Sequence, residues 1–320
     1  MTKHERVRAA LAGDPVDRPP FAFWYHFRGV PPVGDAFVRA TLDFYRDYEP
    51  DLLKVMHDAP YDMPVDHPVL EEPGDWRMLP INPPDSGSFG EQIRALRNIR
   101  DYKNDDAPLI ETVPSAFTVA EQLTNGRTLE MLDKDPAAVM TGLKHLAAAY
   151  ASYAKAAIEE AGCAGIFLAV NGASGGVMSA ERYAADFLPL DRLVLAGAFE
   201  GWCNIVHLHG DDLHLDAALP LIEQAHAVSW SDRAYGPSLS DVRARTGKCV
   251  VGGVNERLVG GYTRTQVTDE VADALAQTDG GRRLIAAPGC TVPTETAPAT
   301  LRAFEAAVGG APAGTGTDQS

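Results

Sequence analysis

Eight short apolar runs, each followed by a stretch of helical periodicity, leave this chain few folds to choose from. The runs are PFAFWYHF (20–27), DLLKVMH (51–57), PLIETV (108–113), GIFLAVN (165–171), NIVHLHG (204–210), AHAVSWS (225–231), KCVVGGVN (248–255) and RLIAAPGC (283–290). Their nearly continuous apolar character marks strands buried on both faces, as in a parallel sheet covered by helices. Between them, DPAAVMTGLKHLAAAYASYAKAAIEEAG (135–162) opens on an Asp-Pro start signal and closes on glycine. VTDEVADALAQ (267–277) has Thr265 or Thr268 as its cap, and TAPATLRAFEAAV (296–308) is the last such segment. Strand then helix, eight times over, predicts an α/β fold with a single (β/α)8 barrel. A doubly wound open sheet is the second choice. No GxGxxG opens a helix after the first strand, and GASGG (172–176) reads as a βα loop, so no nucleotide cofactor is expected.

The barrel is expected over residues 1–308, with an N-terminal helical extension in MTKHERVRAALAGD. A long excursion rich in Pro, Gly and Asp follows the second strand, over 63–100, and is placed across one face, where it would cover the barrel mouth. Residues 309–320 lack apolar periodicity and are expected to form a disordered tail.

The balance of charge narrows the partners. With 28 basic and 44 acidic side chains the net charge is −16, and the basic residues are scattered, so a phosphate backbone would be repelled and nucleic acid is excluded. No apolar run approaches the roughly twenty residues that a membrane span requires. The charged start has no apolar signal region, and the four cysteines form no CxxC pair. Both features predict a cytoplasmic protein in a reducing compartment.

In a barrel of this kind the carboxyl ends of the strands build the active site. Those ends carry Tyr25, His26, His57, Asp58, Thr112, Asn171, His207, His209, Ser231, Asp232, Asn255, Glu256 and Cys290. His207 and His209 are two residues apart on a strand and therefore share one face. With Cys290 they supply two imidazoles and a thiol, a set that suits catalytic zinc with one exchangeable position. Asp232 is a candidate fourth ligand, or the acceptor for an imidazole N–H. Buried histidines and cysteines are also ordinary core residues, and spacing alone leaves both readings open. His57 and Asp58 are adjacent and cannot share a strand face. Asp58 suits acid/base work or a hydrogen bond to substrate, and equally a turn cap before Pro60. His26 and Asn171 suit substrate orientation, with structural loop bonds as the alternative.

Four segments resemble the uroporphyrinogen decarboxylase superfamily: ERVRAALAGDPVDRPPFAFW at the start, PLIETVPSAFTVAEQL in the middle, GGVNERL, and the closing APGCTVPTETAPATLRAF. Within that superfamily, true decarboxylases carry an arginine-rich motif after the first strand and a histidine in the closing motif. Here the first strand runs into WYHFRGVPP, with Arg28 as the sole nearby arginine, and Cys290 stands in the histidine's place. That departure argues against a substrate rich in carboxylates, which needs paired cationic forks. The other branch, cobalamin-dependent methyltransferases, passes a methyl group from a corrinoid protein to a thiol such as coenzyme M, and binds zinc through His-x-Cys and a closing-motif Cys. His207-x-His209 and Cys290 are similar to that set, with His in the middle position.

The resemblance therefore implies a zinc-dependent methyl or alkyl transferase with a thiol-like acceptor, a separate corrinoid protein as donor, and a homodimer. Two imidazoles with one thiolate form a harder ligand set that also accepts other divalent ions. Asp58, His26 and Asn171 are the expected catalytic residues, and Arg28, His57 and Asn255 the expected substrate-binding ones. Two alternatives stand beside this reading. One is a metal-independent decarboxylase or lyase on a small carboxylic acid, with Asp58 as proton donor and Arg28 on the carboxylate. The other is a noncatalytic barrel that binds a metal or small molecule.

Overall fold

The computed structural model describes residues 1–310. Seven parallel strands follow one another in chain order, each hydrogen-bonded to the next: β1 (Leu53–Val55), β2 (Leu109–Pro114), β3 (Gly165–Val170), β4 (Ile205–Leu208), β5 (Ala227–Trp230), β6 (Cys249–Val254) and β7 (Leu284–Pro288). Helices α1 (Lys3–Ala12) and α2 (Gly34–Tyr48) precede β1, and α3 (Gly87–Tyr102) leads into β2. Between β2 and β3 lie α4 (Ala116–Leu123), α5 (Thr128–Lys134) and α6 (Pro136–Glu159), and between β3 and β4 lie α7 (Ala180–Arg182) and α8 (Leu188–Gly197). The remaining crossovers are α9 (Leu215–Ile222), α10 (Leu239–Thr246) and α11 (Arg264–Gln277), and α12 (Pro298–Gly309) follows β7. Parallel neighbours joined by helices put the polar crossovers outside and bury both sheet faces, which is why the strands read as apolar runs.

The sheet curls. Leu52 beside β1, Ile110, Phe167, Ile205, Ala227, Val251 and Ile285 pack together in one buried cluster that draws on all seven strands or their flanks. The alternate residues, among them Val55, Val113, Leu168, Val206, Val228 and Val250, face a second cluster shared with the helices. A period of two therefore sorts each strand into a concave and a convex face.

The first of the eight expected strands, 20–27, is not formed as a strand. It makes one parallel bridge, Phe21 with Ala286. The Ala22 amide donates to the Ala286 carbonyl at 3.0 Å, the Ala286 amide donates to the Pro20 carbonyl at 2.8 Å, and the Phe21 carbonyl accepts from the Asp51 amide at 2.9 Å. Pro19 and Pro20 have no N–H, so two successive ladder donors are missing where pairing would begin.

The expected excursion is shorter than 63–100, because α3 begins at Gly87. Its middle forms a short 3-10 turn, Pro73–Met78, and packs on the helices rather than arching freely. Fully buried Trp76 lies so close to Gly142 of α6 that a Cβ there would come within 2.6 Å of the indole. The Leu70 amide donates to the Leu123 carbonyl at the end of α4, and His145 of α6 meets the Leu79 carbonyl at 3.1 Å. At the other end, α12 runs to Gly309, and the rest of the expected tail, 311–320, lies outside the described residues. No helix among the described residues is long and apolar enough to cross a membrane.

Candidate metal centre

Alternation along β4 sends Ile205 and His207 to the concave face and Val206 and Leu208 to the convex one, and His209 continues the inward series just past the strand. Cys290 arrives from the other side, two residues beyond β7. Gly289 lets that segment approach: a Cβ there would sit 2.8 Å from the Glu256 carboxylate and from Ser231 Cα. The outcome is a cluster in which one ligand atom each from His207, His209 and Cys290 lies within 4.8 Å of the others. Cys290 Sγ is 3.7 Å from His209 Nδ1.

His207 is buried at 3 % exposure, His209 is exposed and Cys290 half-buried, so the cluster has a wet side. The His207 ring stacks on Phe167 with centroids 5.1 Å apart, and its Nδ1 lies 3.2 Å from Ser229 Oγ. Its Nε2 is buried without any hydrogen-bond partner. An unsatisfied buried nitrogen is costly, and one facing two further donors is what a metal ligand looks like when its ring is already held. Burial pushes the Cys290 thiol up, but the neighbouring His207 and His209 imidazoles outweigh it and bring it down to about 4. The same contact with Cys290 raises His209, against its burial. A thiolate between two imidazoles is a ready donor set for a divalent ion.

A second pair gathers on the same rim. His26 Nδ1 lies 2.8 Å from Asp58 Oδ2, both side chains partly accessible to water. Between pair and cluster, in electrostatic terms, sits Lys54. Its ammonium lies 4.6 Å from the Phe167 ring centroid and 5.4 Å from that of Trp24, and its hydrogen-bond contact is with Met56 Sδ. Burial lowers it to about 8, opposed by the negative charge of Cys290, Glu111 and Asp58.

The chain matches the uroporphyrinogen decarboxylase (URO-D) family over residues 37–310. It belongs to that family. Among curated proteins no relative matches. Among solved structures, a methyltransferase from Methanosarcina mazei shares the fold at a TM-score of 0.77 and 19 % identity, covering 96 % of this chain and 98 % of its own. A B12-independent methionine synthase from Shewanella sp. W3-18-1 matches at a TM-score of 0.49 and 15 % identity, over 67 % of this chain and 65 % of the synthase chain.

Within this URO-D member the remaining rim residues divide. Arg28 reaches Glu295 of the closing motif at 3.4 Å, both exposed. Tyr25 donates to the Thr294 carbonyl at 2.6 Å, Thr112 donates to the Val55 carbonyl at 2.6 Å, Ser231 is buried, and Asn171 is half-buried just after β3. Three expected site residues are committed elsewhere. His57, expected to bind substrate, turns to the convex side, where Nδ1 lies 3.0 Å from Glu111 Oε1 and 3.2 Å from the Tyr153 hydroxyl. Asn255, expected to do the same, spends its side-chain oxygen on the Arg257 and Leu258 amides at 3.0 and 3.2 Å, capping its own turn. Asp232, the candidate fourth ligand, stays out of the ligand cluster: Oδ1 accepts from the Gly253 amide at 3.1 Å, Oδ2 lies 3.6 Å from Arg233 Nε, and burial pushes the carboxyl up to about 7.

Sequence reasoning missed Lys54, Phe167, Ser229 and Trp24, and passed over the buried Glu256 carboxylate, whose Oε2 has no partner. One signal was readable: a lysine in the middle of LLKVM is out of place in an apolar strand unless something on the concave face uses it.

Proposed function

We propose that this chain is a zinc-dependent methyl or alkyl transferase acting on a thiol-like acceptor, with the methyl group delivered by a separate corrinoid protein. The observation that carries the reading is the convergence of His207, His209 and Cys290 at one rim, with the His207 Nε2 buried and unpartnered. Two imidazole nitrogens and one thiolate leave a fourth tetrahedral position for an exchangeable group. Zinc held by these residues would supply positive charge that favours the thiolate form of an acceptor thiol near neutral pH.

The protein's own residues then have distinct tasks. His207, His209 and Cys290 hold the ion. Phe167 and Ser229 hold the His207 ring in its orientation. The His26–Asp58 pair, partly open to water, would accept the proton that the acceptor thiol releases, with Asp58 holding the His26 ring. Asn171 and Arg28 orient the acceptor at the rim. Exposed His209 gives the cluster an open side, from which thiol and donor would approach. The methyltransferase fold likeness is compatible with this chemistry, and the donor atoms of His207, His209 and Cys290 are what support it, because one fold serves many reactions.

The test is methyl transfer from methylcobalamin to a panel of small thiols, read as thioether formed, with zinc-loaded and chelator-treated protein side by side. Thioether that requires both protein and metal supports the proposal. Metal-free protein that releases carbon dioxide from a small carboxylic acid, with that turnover lost in Asp58→Asn, overturns it.

A further inference from the structure

The opposite end of the barrel carries a second cluster of chemistry. A hollow of 420 Å³ opens among Arg8 of α1, Trp202 before β4, His226 before β5, Lys248 before β6 and Arg283 before β7. All four of those segments enter their strands from the amino end, whereas the His207, His209 and Cys290 cluster sits past the carboxyl ends of β4 and β7. The two sites are separated by the length of the barrel.

The hollow gathers three cations in a chain whose net charge is −16. Arg8, Lys248 and Arg283 make no ion pair with a carboxylate among the described residues. Several cations elsewhere are paired: Arg6 and Arg18 meet Asp51, Arg233 meets Asp273, and Arg243 meets Asp279. The larger hollow between α2 and α3, 690 Å³, makes the same contrast, since its Lys103 is matched by Asp105 at 2.9 Å. At the amino end the cations act on one another instead. Lys248 is lowered by burial, with Glu223 offsetting and Arg283 adding to the effect. His226 is lowered by burial, by Lys248 and by Arg8.

The donors are also held and partly unspent. Arg8 lies over the Trp202 ring at 4.0 Å and gives Nε to His4 Nε2 at 3.0 Å. Arg283 uses Nη1 on the Leu11 carbonyl at 3.3 Å, and Lys248 gives its ammonium to the Glu223 and Ala225 carbonyls at 2.8 and 2.7 Å. A guanidinium has five N–H donors and an ammonium three, so each of these groups keeps at least one in reserve. The Asn204 amide donates to His226 Nδ1 at 3.1 Å, which leaves the proton of the neutral ring on Nε2. Like charges gathered without a direct ion pair cost free energy in the free protein, and a bound anion relieves it.

We infer that this amino-end hollow is a binding site for a phosphate-bearing anion, held by Arg8, Lys248 and Arg283 with His226 beside them. Planar guanidinium forks suit phosphate oxygens, and the fixed Arg8 needs little ordering to engage one. A phosphate group has two sources, a small inorganic or sugar phosphate and a nucleotide, and the test separates them.

Isothermal titration calorimetry of the full-length protein at low ionic strength, with inorganic phosphate, pyrophosphate and AMP as probes, decides the matter. The expected result is one pyrophosphate per chain, bound more tightly than phosphate and more weakly as salt rises. Arg8→Gln and Lys248→Gln, each with an unchanged circular dichroism spectrum, are expected to weaken it by about tenfold. Arg94→Gln, which removes an exposed cation elsewhere, and Cys290→Ala, which removes a ligand of the distant cluster, are expected to bind as the wild type does. Tighter binding of AMP than of phosphate assigns the site to nucleotides, and the reverse assigns it to the smaller phosphates. No pyrophosphate heat with wild type, undiminished binding in both Arg8→Gln and Lys248→Gln, or loss of binding in Cys290→Ala overturns the inference.

Discussion

The end of β1 and the end of β4 each hold a buried imidazole whose Nε2 lacks a partner, yet their surroundings are opposite in kind. His57 sits on the convex side, edge-on to Phe89, Tyr150 and Tyr153, with Glu111 and the Tyr153 hydroxyl at its Nδ1. Tyr153 also donates to Glu111 at 2.7 Å, and Gln92 donates to the same carboxylate at 3.1 Å, so the acid is enclosed by donors. Burial still pushes that carboxyl up, with His57 as the main opposing influence. His207 sits on the concave side against Phe167, with only Ser229 at Nδ1 and two further donors across a short gap. An orphan nitrogen points to a ligand only where other donors converge on it. His57 has no such company, and its network is a brace between β1, β2, α3 and α6.

Removing each imidazole in turn separates the two ends most clearly. His207→Ala is expected to abolish stoichiometric zinc, read by elemental analysis of purified protein, while leaving the fold. His57→Ala is expected to keep the zinc and to lose about 3 kcal/mol of stability in urea unfolding, because it strips a partner from buried Glu111. Equal zinc loss in both variants would erase the distinction between the two ends.

A smaller effect follows from the thiolate. In metal-free protein, Cys290 is held at about 4 by His207 and His209, so it is a thiolate above that pH and a thiol below it. Its alkylation by iodoacetamide is therefore expected to stay fast from pH 8 to pH 5 and to fall as pH drops through about 4. In His207→Ala the fall should move upward toward the ordinary thiol range of roughly 8.5. A wild-type profile centred near that ordinary range would show that the imidazoles do not act on the sulfur. The smallest expected effect belongs to Ser229→Ala, which removes the contact at His207 Nδ1 and should weaken zinc about tenfold in a competition titration with a chelator. No change would mean that Phe167 alone orients the ring.

How far these features were readable differs from residue to residue. His207 and His209 were legible because a two-residue spacing on a strand forces a common face, and Cys290 because it ends another strand of the same sheet. The parity of β1 was equally present in the residues: Lys54 inward, His57 outward, Asp58 inward again beside His26. Reading His57 as rim chemistry set that parity aside. Asp232 and Asn255 were misplaced for a different reason. Each turns to nearby backbone amides, a competition that residue type and position do not reveal. The first strand failed for a local reason that was visible, the Pro19-Pro20 pair.

By itself the sequence determined the alternation of strand and helix, the parallel order, and the inventory of donors at the carboxyl ends, because these follow from periodicity and residue type along a short stretch. Only the tertiary structure decided which donors meet. The separation of His209 from Cys290 is 81 residues along the chain and 3.7 Å in space. Curling of the sheet closes that distance, and curling depends on side chains from every strand packing into one concave core, a property that no single segment carries. The same closure assembles the cations of the amino end from α1 and the two loops that carry Lys248 and Arg283, none of which is basic enough alone to attract notice.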